Sequence, residues 1–86
     1  MNRIQQMLYR VTIGKKYRVI NRNYGIIVEG VLKFVEFGQF TDSFIEPKIW
    51  MQQSDGRLRC VYAGDAGIIP YHYGVWNDVN HTEEVK

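Results

Sequence analysis

A chain of 86 residues is one domain near the lower limit of what folds unaided. Its 45% hydrophobic content supports one modest core, and six Tyr, four Phe and two Trp favour strands. One cysteine excludes an intramolecular disulfide and a Cys-based zinc site, and a net charge of +2 is a weak electrostatic footprint for a polyanion.

The charge is unevenly spread. Residues 1–22 carry +6, residues 23–59 carry −1 and residues 60–86 carry −3. The basic and acidic ends can attract one another, or the basic end can face a polyanion; solvated surface is the commoner outcome. No long apolar run follows the charged start, so neither a signal peptide nor a membrane span is expected, and the chain is read as cytoplasmic. The glycosylation sequon Asn80-His81-Thr82 is then a chance match.

In chain order, Ile4, Met7, Leu8 and Val11 recur at helical spacing, predicting a short amphipathic helix over 3–11. A strand over Leu8–Ile13 is the alternative. Gly14-Lys15 reads as a turn. Lys16–Asn21 alternates, with Tyr17 and Val19 opposite Lys16 and Arg18, which predicts a half-buried strand. Asn21–Gly25 is turn chemistry. Ile26–Phe37 is the longest strand candidate, with Ile26, Val28, Leu32 and Phe34 on one face and a bulge or bend at Gly30. Gly38–Glu46 reads as a loop carrying Phe40 and Phe44, and Pro47 as the start of the next strand.

Residues 49–62 predict a hairpin on a two-residue Asp55-Gly56 turn of type I′. That turn pairs Ser54 with Arg57 and Met51 with Cys60. Ile49, Met51, Leu58, Cys60 and Tyr62 then form a core face, where Cys60 acts as a small hydrophobe. Trp50, Gln52, Arg57 and Arg59 form the other face. Beyond it, Gly64 and Gly67 mark a turn, Ile68-Ile69 a very short strand, and Pro70 a one-turn 3₁₀ segment carrying Tyr71 to Tyr73. Residues 77–86 are polar and aperiodic and read as a mobile tail, leaving 1–76 as the folded domain.

Five to six short strands separated by turn signals predict an all-β small barrel. Gly14 ahead of Lys16–Asn21, Trp50 ahead of the Asp55-Gly56 turn, and Gly67-Ile68-Ile69-Pro70-Tyr71-His72-Tyr73 together resemble an SH3-type domain. The closing motif Gly-x-Ile-Pro-x-x-Tyr is matched at Gly67, Ile69, Pro70 and Tyr73. The resemblance covers about half the chain. It implies an SH3-like barrel, with Trp50, Pro70 and Tyr73 lining a groove for proline-rich peptides. The family's opening Ala-Leu-Tyr-Asp-Tyr motif and its long acidic loop have no counterpart in the basic residues before Gly14. One barrel serves many functions, including RNA and protein binding in ribosomal and transcription proteins.

No catalytic constellation emerges. The two histidines, His72 and His81, stand alone, no phosphate loop follows a strand, and no carboxylate pair is defined. A non-catalytic binding module without cofactor or metal is expected. The first reading is RNA or single-stranded nucleic acid, with Lys16, Arg18, Arg22, Arg57 and Arg59 on phosphates and Trp50 as the stacking ring. The alternative is a protein-binding regulator or inhibitor that uses Trp50, Pro70, Tyr71 and Tyr73, since a core this small does not bury so many aromatics. Homodimerisation through the edge of the long strand is a third use.

Overall fold

The computed structural model describes residues 10–41, 44–69 and 79–86, with the backbone alone at 37–41 and 44–46. Five strands occur in chain order: β1 Lys16–Asn21, β2 Gly25–Thr41, β3 Phe44–Gln52, β4 Leu58–Tyr62 and β5 Asn80–Glu84. They form one antiparallel sheet in the order β4-β3-β2-β1-β5. The expected helix over 3–11 lies outside the described residues except at its end, where Val11 is buried. No strand forms over residues 11–13.

β1 follows its alternation. Tyr17 and Val19 are buried, and Lys16 and Arg18 face the other way. The Tyr17 hydroxyl accepts the Thr12 amide at 2.7 Å, which pairs its buried oxygen and ties the preceding turn to the core. The Asn21–Gly25 turn forms as expected: Asn21 Oδ1 accepts the amides of Asn23 and Tyr24, and Gly25 takes φ +83°.

β2 serves two ladders. Residues 25–31 pair with β1, and residues 31–41 pair with β3. The register shifts between Ile26 and Val28 and again between Leu32 and Phe34, leaving Ile27 and Lys33 as the extra residues. Each inserted residue reverses the inward parity. Val28 and Leu32 are therefore buried, while Ile26 and Phe34, expected on the same face, are 55% and 44% exposed. Ile27 and Val35 pack on the core in their place.

Gly30, expected as a bulge or bend, instead pairs in register with Tyr17, and the register shifts fall at Ile27 and Lys33; its glycine has another cause. A Cβ there would lie 2.5 Å from the Gln52 carbonyl oxygen, so only glycine lets the end of β3 lie across β2. The expected Gly38–Glu46 loop is instead a hairpin, paired from Phe37↔Pro47 to Thr41↔Phe44. Pro47 sits inside β3, not at its start. Its carbonyl accepts the Ala63 amide, so its missing N–H points to the β4 side and leaves the β2–β3 ladder intact.

The β3–β4 hairpin forms, but in a different register. The Gly56 amide donates to the Gln53 carbonyl at 2.9 Å, Gly56 takes φ +87°, and the Gln53 amide donates to the Arg57 carbonyl. This is a three-residue loop with a glycine bulge, not the two-residue type I′ turn. Asp55 Oδ1 favours it by accepting the Arg57 amide at 2.9 Å. The pairs are Met51↔Arg59, Trp50↔Cys60 and Ile49↔Val61, one residue away from those expected. A slip of one residue exchanges the faces of β4. Leu58, Cys60 and Tyr62 therefore leave the core face, and Val61 joins Ile49 and Met51.

After β4 the chain makes one helical turn. The Ile68 amide bonds to the Ala63 carbonyl, and the Gly67 amide to the Gly64 carbonyl, with Gly67 at φ +70°. That pattern is a Schellman closure. Ile68 and Ile69 are buried as part of a bend, not as the expected strand. The expected 3₁₀ segment, including Pro70, Tyr71, His72 and Tyr73, lies outside the described residues.

Residues 80–84, expected in a mobile tail, are strand β5 against β1. They have almost no apolar content, and polar bonds hold them. Asn80 Nδ2 donates to the Asp65 carbonyl at 2.6 Å, and Asn21 Nδ2 donates to Asn80 Oδ1 at 2.7 Å. Thr82 Oγ1 donates to the Ala66 carbonyl at 2.6 Å. β5 thus joins the edge of the sheet to the turn over the core.

Gly67 meets two demands at once, a left-handed backbone and contact with the Asn80 carbonyl, whereas the φ +97° position at Gly14 opens on empty space. Urea unfolding of two variants separates these costs. Gly14→Ala is expected to lose about 1–2 kcal/mol, and Gly67→Ala about 2–5 kcal/mol because overpacking adds to the backbone strain.

Candidate functional site

The register of β4 determines which residues the molecule displays. On the side away from the core, Phe34 of β2, Trp50 of β3 and Cys60 of β4 lie in one cross-strand row. Phe34 and Trp50 stack, with centroids 5.6 Å apart and planes 18° from parallel. Cys60 is exposed, and Leu58, opposite Gln52, is 49% exposed. Tyr62 lies beside them, its ring 5.3 Å from Lys48 Nζ. Lys48 also reaches Glu36 at 3.8 Å, so an ion pair borders the row. The result is an apolar surface with a polar rim. Trp50 Nε1 is buried within it and has no hydrogen-bond acceptor among the described residues.

The cationic residues are arranged differently from the expected platform. Arg18 lies between Glu29 of β2 and Glu83 of β5, its paired neighbours on the two sides. Its Nε is 3.1 Å from Glu29 Oε2, close enough for an ion pair but too poorly aimed for a hydrogen bond. Its Nη1 is 4.0 Å from Glu83. Lys16 is 3.5 Å from Glu29, and Lys15 is 3.3 Å from Glu84. The basic and acidic ends of the chain have met across β1 and β5. These pairs are partly exposed, so each contributes at most about 1 kcal/mol, but they neutralise the surface. Arg22 sits exposed in the turn that follows β1.

Trp50 and Arg59, expected on one face, are on opposite faces. Arg59 pairs with Met51 on the core side, at the edge, and its Nη1 donates to the Ile27 carbonyl at 3.4 Å. Arg57 is exposed beyond the end of β4, 3.7 Å from Asp55. Of the alternative protein-binding set, Trp50 is in the aromatic row, while Pro70, Tyr71 and Tyr73 lie outside the described residues. Phe34, Leu58, Cys60 and Tyr62 were missed as surface residues. Strict alternation places them inside, and only the bulges at Lys33 and Gly56 bring them out.

Two open grooves flank Ile27. One, of about 440 Å³, runs between Ile26–Val31 and the Gln52–Ser54 turn. The other, of about 330 Å³, lies between Ile27, Arg59–Tyr62, Asp65 and Asn80. Among the described residues, no cluster of His, Cys, Asp and Glu is arranged to hold a metal ion, and no helix is long and apolar enough to cross a membrane. Comparisons with family models, with curated proteins and with solved structures find no match to this chain.

The aromatic row has a measurable internal energy. A double-mutant cycle of Phe34→Ala and Trp50→Ala, read by urea unfolding, is expected to give a coupling of about 0.5–1.5 kcal/mol. Additivity within about 0.3 kcal/mol would mean that the rings do not stack in solution.

Proposed function

We propose that this chain is a non-catalytic protein-binding module with an SH3-like barrel, and that the surface built on Phe34, Trp50, Leu58, Cys60 and Tyr62 docks its partner. One observation carries the reading: β4 turns Leu58, Cys60 and Tyr62 away from the core and places Arg59 toward it. Folding alone favours the reverse, because burying apolar area stabilises the fold. An apolar patch centred on Trp and Tyr and rimmed by charge has the composition of an interface core. The strand order β4-β3-β2-β1-β5, with one long strand shared by two ladders, supports the SH3-like reading.

Nucleic-acid binding is the second reading. It draws on Arg22 and Arg59, which are exposed and make no ion pair among the described residues, and on the exposed Arg57. It is weakened by the neutralisation of Lys16 and Arg18 and by the separation of Trp50 from Arg59.

Photo-crosslinking residues placed at Leu58 and at Arg22 in the producing cells separate the two. Protein adducts from position 58, and none from position 22, are expected. Nucleic-acid adducts from position 22, with anisotropy titrations of single-stranded RNA that weaken steeply with salt, would overturn the protein reading.

A further inference from the structure

Among the described residues, the outer edge of β4 carries an unpaired hydrogen-bonding row. The Gln53 amide bonds to the Arg57 carbonyl, and the Ala63 amide to the Pro47 carbonyl. In an antiparallel ladder such bonded pairs recur at every second residue, so Met51–Arg59 and Ile49–Val61 exchange the intervening bonds. The amides and carbonyls of Leu58 and Cys60 therefore point away from β3. Among the described residues no strand pairs with that edge.

The groove of about 330 Å³ runs along this edge, with Ile27 as its far wall. Ile27 belongs to the half of β2 that β3 does not cover. Its carbonyl receives a long 3.4 Å bond from Arg59. Arg59 has no carboxylate partner among the described residues.

We infer that an extended segment of a partner protein adds to β4 as a sixth strand, with one carboxylate side chain opposite Arg59 and apolar side chains on either side of it. Backbone bonds to Leu58 and Cys60 supply the pairing. Strand alternation puts the carboxylate on the Arg59 face and its two neighbours over the aromatic row, beside Leu58 and Cys60. A charge-assisted bond to Arg59 replaces the weak one to Ile27. The inference rests on the protein-binding reading and assigns that partner its backbone shape and its charge.

The probe is a capped peptide, Thr-Ser-Val-Glu-Val-Ser-Thr, titrated into the labelled protein and followed by NMR and amide hydrogen exchange. The expected result is slowed exchange at Leu58 and Cys60 and binding about tenfold tighter than that of the same peptide with lysine for glutamate. Arg59→Glu should reverse that preference. N-methylation of the peptide's valines should abolish binding. Cys60→Pro should also abolish it, since that N–H points away from β3 and is paired with no strand among the described residues. Should Cys60→Pro fail to fold, the N-methylated peptide tests the same bond on the native protein.

Absence of binding, equal binding of the lysine peptide, or protection away from β4 would overturn the inference. Protection of Leu58 and Cys60 that appears without peptide and grows with protein concentration would assign the edge to a second copy and overturn it equally. If this test fails while adducts from position 58 remain proteinaceous, only the strand-addition inference falls. If those adducts are absent too, the protein-binding reading falls with it.

Discussion

The fold depends on the close passage of the Gln52 carbonyl over Gly30. Only a residue without Cβ allows the end of β3 to lie across β2 at that point. With Gly30 in place, β2 pairs with β1 along one half and with β3 along the other. Two inserted residues, Ile27 and Lys33, let the strand change faces at each end of this crossing. Ile27, Val28, Leu32 and Val35 all reach one core, although no single alternation connects them. A strictly regular strand would place half of that set in solvent.

The same economy governs β3 and β4. Gly56 adds one residue to the hairpin, and every side chain of β4 exchanges faces. Hydrophobic pattern and turn chemistry disagree here, and the turn prevails through Asp55 and the bonds between Gln53, Gly56 and Arg57. The fold forgoes the burial of Leu58 and Cys60 and keeps Val61. A protein of this size has little stability to spare, so apolar surface left outside is a cost to the fold. The charged residues follow a different logic. Arg18, Glu29 and Glu83 form a row across three strands that fastens β5 to the sheet.

Much of the fold was legible in the sequence. The alternation of Lys16–Asn21, the Asn21–Gly25 turn and the presence of a hairpin around Asp55-Gly56 all follow from local chemistry, and the structure has each of them. The faces were less legible, because parity is a cumulative property. One unrecognised bulge at Lys33 moves Phe34 outward, and one at Gly56 moves Leu58 and Cys60 outward. β5 was hidden for a different reason. Asn80, Thr82 and Glu84 carry no hydrophobic period, and their strand is held by backbone pairing and by bonds to Asp65 and Ala66, which no local pattern announces. The pairing of the basic and acidic ends was legible as one of two outcomes. It is the outcome found for Lys15, Arg18, Glu83 and Glu84.

The outward turn of β4's apolar side is the claim on which the functional account stands, and the single cysteine reports on it directly. The rate at which a disulfide reagent modifies Cys60 in the native protein, compared with the rate in urea, is the measurement to make. An exposed thiol at the Trp50↔Cys60 position predicts native reactivity within about tenfold of the unfolded chain. A native rate slowed by several orders of magnitude would place Cys60 in the core, restore the two-residue turn and contradict the account.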